Sequence, residues 1–204
     1  MYLRGIIYRN IYWYRFCMLV LYRRARFERY SVIRDQIVNL KKDSRVLELC
    51  FGDTYIANLC HDNDIQWTEI DINQSFVDRA RRRSYRSFCM DLHMGAKLEE
   101  SDLVIMVGSF YHFHDHIQDL LTTIFQSSKY FLLVEPVRNL SGKNGIVTKL
   151  LAIAADPGTG NIAFRYEALD LIEELNGLSP LIGFDVEQLE CFPRDKAFLL
   201  QSTK

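Results

Sequence analysis

The run Ser109-Phe-Tyr-His112-Phe-His114-Asp115-His116 concentrates side chains able to do chemistry, with three histidines and one acid inside five residues. A neutral imidazole near pH 7 can take a proton from a hydroxyl or an amine, so His112, with Tyr111 beside it, is a candidate base facing an acceptor. Four acids, Glu48, Asp71, Asp91 and Glu135, lie within or at the ends of short apolar runs. Asp71 follows Gly52 by 19 residues, the separation at which an acid on a second strand reaches the two hydroxyls of a ribose. Gly52 lets a strand-to-helix turn come close to a ligand, and the free amides of the following helix can receive its polar groups. Together these residues point to a nucleoside-containing cofactor. The plainer alternative makes Gly52 a simple turn and Asp71 a helix cap.

The elements that must position these residues alternate between strand and helix patterns. Helical spacing is expected over about 27–40, followed by a strand over 45–50 and a helix over about 55–60. A strand over 66–70 ends at Asp71, a basic helix runs from Gln74 to about Ser84, and a short strand over 86–90 ends at Asp91. Leu103 to Val107 is the most hydrophobic strand and leads into Gly108-Ser109. A helix follows His116, with Asp115 as its expected N-cap, and then a strand, Tyr130 to Val134, closed by Glu135-Pro136. Five strands separated by helices predict a parallel, right-handed α/β sheet. Beyond a loop at 139–145 and a helix to about 155, a helix over 166–175 is expected to stop at Asn176-Gly177. The runs 186–192 and 197–201 read as a terminal antiparallel hairpin.

The segment Val46-Leu-Glu-Leu-Cys-Phe-Gly-Asp-Thr54 resembles the glycine-rich first motif of class I, Rossmann-like methyltransferases that use S-adenosylmethionine. Glu69-Ile-Asp-Ile-Asn73 resembles their ribose-binding second motif, Met90-Asp-Leu92 their third, and Asp102 to Phe113 their fourth strand and substrate-facing loop. The resemblance covers residues 44–204. It implies a three-layer, doubly wound, seven-stranded sheet, mostly parallel with the last strand antiparallel, preceded by an N-terminal helical extension over residues 1–43. It implies methyl transfer from S-adenosylmethionine, with S-adenosylhomocysteine as product, to an oxygen or nitrogen of a small-molecule, sugar or lipid-linked acceptor. Glu48, Cys50, Phe51, Gly52, Thr54, Asp71, Ile72, Asp91, Leu92, Gly108 and Ser109 would hold the cofactor, with Asp91 facing the adenine amino group. His112 and Tyr111 would be catalytic, and His114, Glu135, Arg138 and Arg165 would meet the acceptor. The three usual glycines of the first motif stand here as Cys50, Gly52 and Thr54.

The histidine run is one residue short of the HxHxDH pattern of metallo-hydrolases, and no metal site is expected. Glu135 has a second reading, as an acceptor of hydrogen bonds from loop amides. The alternatives to a small-molecule enzyme are an interaction subunit of the same fold without catalysis and an RNA methyltransferase. No Asn-Pro-Pro-Tyr or Asp-Pro-Pro-Tyr follows the fourth strand; Gly108-Ser-Phe-Tyr111 stands there instead.

Composition agrees with a folded domain: of 204 residues, 49% are hydrophobic, 13% aromatic and 25% charged, which excludes disorder and collagen-like repeats. The net charge of -1 hides a division, since residues 1–42 carry ten Lys/Arg against Glu28 and Asp35, a balance of +8 that leaves -9 for the rest. Five cysteines, an odd number without a CxxC pair, suit reduced thiols and a cytoplasmic location. Leu3, Ile7, Ile11, Tyr14, Met18 and Leu21 form one helical stripe among arginines. That stripe is expected to cover the sheet domain or an oligomer partner, to lie on the inner face of a membrane, or, less favoured, to hold nucleic acid.

Overall fold

The computed structural model describes residues 12, 15, 16, 19, 25–95, 97–137, 166–191 and 194–204. The readings that fall on residues 138–165, Arg138 and Arg165 among them, and on most of residues 1–24 lie outside that set. The strands are β1 (Arg45–Leu49), β2 (Gln66–Asp71), β3 (Arg86–Cys89), β4 (Leu103–Val107), β5 (Tyr130–Pro136), β6 (Phe184–Cys191) and β7 (Asp195–Ser202). They form one sheet in the order β3-β2-β1-β4-β5-β7-β6. The strands from β3 across to β5 pair in parallel, and β7 alone is reversed, antiparallel to both β5 and β6. The sheet expected from the resemblance is therefore present, with its last strand turned round.

Among the described residues five helices cover the sheet: α1 (Ala25–Val38), α2 (Tyr55–Asp62), α3 (Gln74–Arg82), α4 (Ile117–Ser127) and α5 (Ala168–Ile182). Their buried residues recur at spacings of three and four, as in Ile117, Leu120, Leu121 and Ile124 of α4, so each presents one apolar stripe. On one face of the sheet α4 and α5 pack on Leu47, Leu49, Val104, Met106, Phe131 and Leu133. On the other face α1, α2 and α3 pack on Val46, Ile105, Leu132 and Val134. Burial on both faces is why the central strands read as unbroken apolar runs instead of alternating ones. Among the described residues no helix is long and apolar enough to cross a membrane.

Helix α5 differs from its expected extent. It passes through Asn176-Gly177 and Pro180 and ends at Gly183, which takes the left-handed conformation with φ 90°. A mid-helix glycine costs about 1 kcal/mol against alanine, less than burying Ile182 and half-burying Leu178 against the core returns. The N-cap of α4 is likewise His116, one residue beyond Asp115, and its side chain makes no capping bond.

Two buried polar arrangements shape the sheet. Arg29 of α1 donates from Nε and Nη2 to the two carboxylate oxygens of Asp195 at 2.9 and 2.7 Å, both side chains almost fully buried. This pair ties α1 to the start of β7 and stands next to Gly108, whose absent Cβ would lie 3.7 Å from Arg29 Nη1. α1 is therefore built into the α/β unit by Val32, Ile33 and Ile37 and by one buried ion pair.

The second arrangement is Glu48 beside Glu69, register partners on β1 and β2. Glu48 accepts from Trp67 Nε1 at 3.0 Å, while neither oxygen of Glu69 has a hydrogen-bond partner among the described residues. Burial, reinforced by neighbouring acids, pushes Glu48 up to about 8 and Glu69 up to about 10.

Each arrangement makes a prediction. Asp195→Ala removes the carboxylate that faces a buried guanidinium and should cost about 3–5 kcal/mol in urea unfolding, while Arg29→Met with Asp195→Leu should recover most of that loss. Glu69 keeps its proton on folding but loses it in the unfolded chain above roughly pH 4.3. Its stabilising contribution is thus complete below that pH and declines as pH rises towards about 10. Glu69→Gln should therefore raise the melting temperature at pH 8.5 and change it little at pH 5; an equal shift at both values would contradict the assignment.

Candidate functional site

The order of strands reverses between β1 and β4, so the crevice at their carboxyl ends is where a ligand of such a sheet binds. Two loops border it, residues 50–54 after β1 and residues 108–116 after β4. The hydroxyl of Ser109 reaches the Cys50 carbonyl at 3.5 Å and joins them. Gly108 takes φ 67° to start the second loop, and its N–H returns to the Val134 carbonyl.

In the first loop the left-handed residue is Cys50, with φ 56°, in the place of the first usual glycine. Gly52 has no positive φ, so the sharp turn expected of it falls two residues earlier. Cys50 packs against the core cluster that includes Leu47 and Leu49. Burial, with the nearby charges of Asp71, Asp91, Glu135 and Glu48, raises its thiol well above the ordinary range, which leaves it a neutral thiol. Thr54 is 1% exposed and bonds to Arg83 from the end of α3. The two side chains that replace glycines are thus engaged with the core and with Arg83, away from the mouth of the crevice. Phe51 is buried among Trp67 and Phe76, edge-on to both. Phe51, Gly52, Asp53, Thr54, Phe76 and Arg79 line a shallow surface depression beside this loop.

Asp71 ends β2, 8% exposed, with Oδ1 accepting from the Asn73 N–H at 2.6 Å. Burial raises its carboxyl to about 7. Asn73 caps α3 with its own side chain, so the helix cap is Asn73 and not Asp71. Ile72 next to it is 52% exposed. Asp91 follows β3 and caps the 3-10 turn Leu92–Met94, its Oδ1 accepting from the His93 N–H. Asp71, Asp91 and Glu135 all act on Cys50 electrostatically, which makes the floor of the crevice acidic.

Some expected site residues occupy other places. Glu48 is 4% exposed and bonded to Trp67, below the crevice instead of in it. Glu135 is fully buried, accepting from the Phe110 and Tyr111 N–H groups at 3.0 and 3.3 Å. It follows its second reading and holds the 3-10 turn Phe110–Phe113 in place. Tyr111 is 5% exposed and packed in the core, its ring 3.9 Å from that of His112, so it supports His112 from beneath rather than facing an acceptor. His112 is half-buried on that turn. His114 Nε2 lies 3.1 Å from Asp115 Oδ1.

Three contacts went unread in the sequence. His93 pairs with Asp91 and stacks on Phe113, for which Asp91-Leu-His93 after a strand is a weak signal. Arg29 is buried against Asp195, and nothing in a basic segment distinguishes it. Arg15 donates from Nε and Nη2 to Asp53 at 2.8 and 2.7 Å, so the N-terminal segment reaches the first loop.

No protein-family model matches the sequence, and no curated protein matches it. Solved structures do match it. A SAM-dependent methyltransferase from Aquifex aeolicus is 13% identical with a TM-score of 0.57, over 84% of this chain and 88% of that one. A SAM-dependent methyltransferase from Thiobacillus denitrificans, in complex with S-adenosyl-L-homocysteine, is 21% identical with a TM-score of 0.55, over 79% and 65%. An rRNA methylase from Escherichia coli is 13% identical with a TM-score of 0.58, over 87% and 65%. The chain spans 61% of the cyclopropane synthase MmaA2 from Mycobacterium tuberculosis and 52% of the CurJ carbon methyltransferase. A seven-stranded sheet in this order, with its reversed strand and its crevice at β1 and β4, and these likenesses together show that the chain has the class I, SAM-dependent methyltransferase fold.

Proposed function

We propose that this chain transfers a methyl group from S-adenosylmethionine to an oxygen or nitrogen of a small-molecule, sugar or lipid-linked acceptor. The observation that carries the reading is the crevice over β1 and β4, where Asp71 and Asp91, at the ends of the successive strands β2 and β3, stand together on one side of Cys50. The residues present suit the cofactor, because the side chains that replace glycines are engaged with the core and Arg83. When bound, it supplies an electrophilic methyl on a cationic sulfonium. Asp71 would accept from the ribose hydroxyls, and Asp91 would accept from the adenine amino group. Gly52, Gly108 and Ser109 would line the chain of the cofactor, and Ile72 and Leu92 would flank its base.

On this reading the acceptor binds over the loop after β4. His112 takes the acceptor proton at an imidazole nitrogen as the nucleophile attacks, while Tyr111 and the Glu135-anchored amides hold the turn that presents it. Asp71, ionised above about pH 7, favours a cationic ligand over an anionic one. Residues 44–204 would form the catalytic unit, with helix α1 of the N-terminal extension (residues 1–43) packed into it.

The test is isothermal titration with S-adenosylmethionine, S-adenosylhomocysteine and a dinucleotide control. Micromolar binding of the first two is expected, with Asp71→Ala weaker by about 1–3 kcal/mol. Because burial sets Asp71 near 7 and the ionised form is the better acceptor, S-adenosylhomocysteine should bind about tenfold more tightly at pH 8 than at pH 6. Asp71→Asn should flatten that dependence. Failure of a folded protein to bind either ligand would favour the interaction-subunit reading.

A further inference from the structure

The loop after β3 and the loop after β4 are joined by one side chain. His93 places Nδ1 3.0 Å from Asp91 Oδ1 and Nε2 3.5 Å from the His112 carbonyl oxygen. Its ring stacks on Phe113, with centroids 4.5 Å apart and 17° between planes, and meets His116 edge-on at 6.2 Å. A carboxylate accepts hydrogen bonds, so Nδ1 is the ring's donor, to Asp91 Oδ1, and the stack on Phe113 is what ties the ring to the loop after β4. Stacking on Phe113 restricts the rotation that would break that bond.

The consequence falls on Asp91. Its Oδ1 is engaged by the His93 N–H and by the His93 ring, which fixes the plane of the carboxylate. The other oxygen is left to a ligand, and the side chain is 40% exposed. Because a carboxylate accepts only, the ligand group it selects is a donor, such as an exocyclic amine. We infer that His93 is a positioning residue: it holds Asp91 to select a purine with an amino group over one with a carbonyl, and it ties that selection to the loop carrying His112. This rests on the proposal that the crevice binds an adenosyl cofactor.

The discriminating probe is S-inosylhomocysteine, which carries a carbonyl where S-adenosylhomocysteine carries the amine. The wild-type protein should prefer the adenosyl compound by about tenfold or more, since the carbonyl leaves the carboxylate without a donor. His93→Asn keeps a donor near the position of Nδ1, and His93→Gln keeps one near Nε2. The preference should survive in His93→Asn and fall to about twofold or less in His93→Gln, His93→Ala and Asp91→Asn. A simple packing role for His93 would not separate the asparagine and glutamine variants. Equal preferences in those two, or a wild-type preference retained in His93→Ala, would overturn the assignment. No binding of either compound by the wild type would instead overturn the cofactor reading beneath it, an outcome recognisable because Asp71→Ala would then change nothing.

Discussion

The buried contact between Arg29 and Asp195 is the constraint on which the rest of the arrangement depends. It joins residues 166 positions apart in sequence, one from the first helix and one from the start of the reversed strand. A pair taken out of water in this way returns little net stability, but it permits only one relative placement of α1 and β7. That placement sits beside Gly108 and Pro136, where β4 and β5 end. The floor of the crevice is thus set by an interaction reaching in from both ends of the chain, and the loop that carries His112 grows out of this fixed corner.

A second constraint is electrostatic. Glu48, Glu69 and Asp71 are all shielded from water, and each is held towards its protonated form by burial. Such groups do not add to stability near neutral pH, where Glu48 and Glu69 keep their protons and carry no charge, while Asp71 gains its charge as pH rises through about 7. Glu135 is different, since two backbone N–H groups satisfy it and it works as a bracket for the turn Phe110–Phe113. Four acids of similar sequence context thus have distinct physical tasks, divided by what faces their oxygens.

Much of the fold was legible because the parallel strands are buried on both faces and therefore stand out as apolar runs between turns. The acids at strand ends were legible for the same reason, since a strand boundary exposes the residue that follows it. What was not legible depends on tertiary context. Asn176-Gly177 carries every sign of a helix end, yet burial of Ile182 draws α5 on to Gly183. Tyr111 and His112 are neighbours on a 3-10 turn, and only packing decides that the tyrosine turns inwards and the histidine stays half exposed. Cys50 takes a backbone conformation usually left to glycine, which composition alone assigns to Gly52. Arg29 owes its place to a partner 166 residues away, beyond the reach of any local pattern, and His93 owes its to a stack on Phe113 that its neighbour Asp91 only hints at.

The reversal of β7 also decides which way the chain hands over its last residues. β7 begins against Pro136, at the crevice end of the sheet, and finishes against Tyr130 and Phe184 at the opposite end. Thr203 then bonds to the Gly183 carbonyl, and Lys204 packs beside that glycine. Arg15, by contrast, touches the first loop of the crevice itself. A tether, label or immobilising surface attached through Lys204 would therefore hold the molecule with its crevice facing outwards, whereas one joined near Arg15 would crowd the entrance.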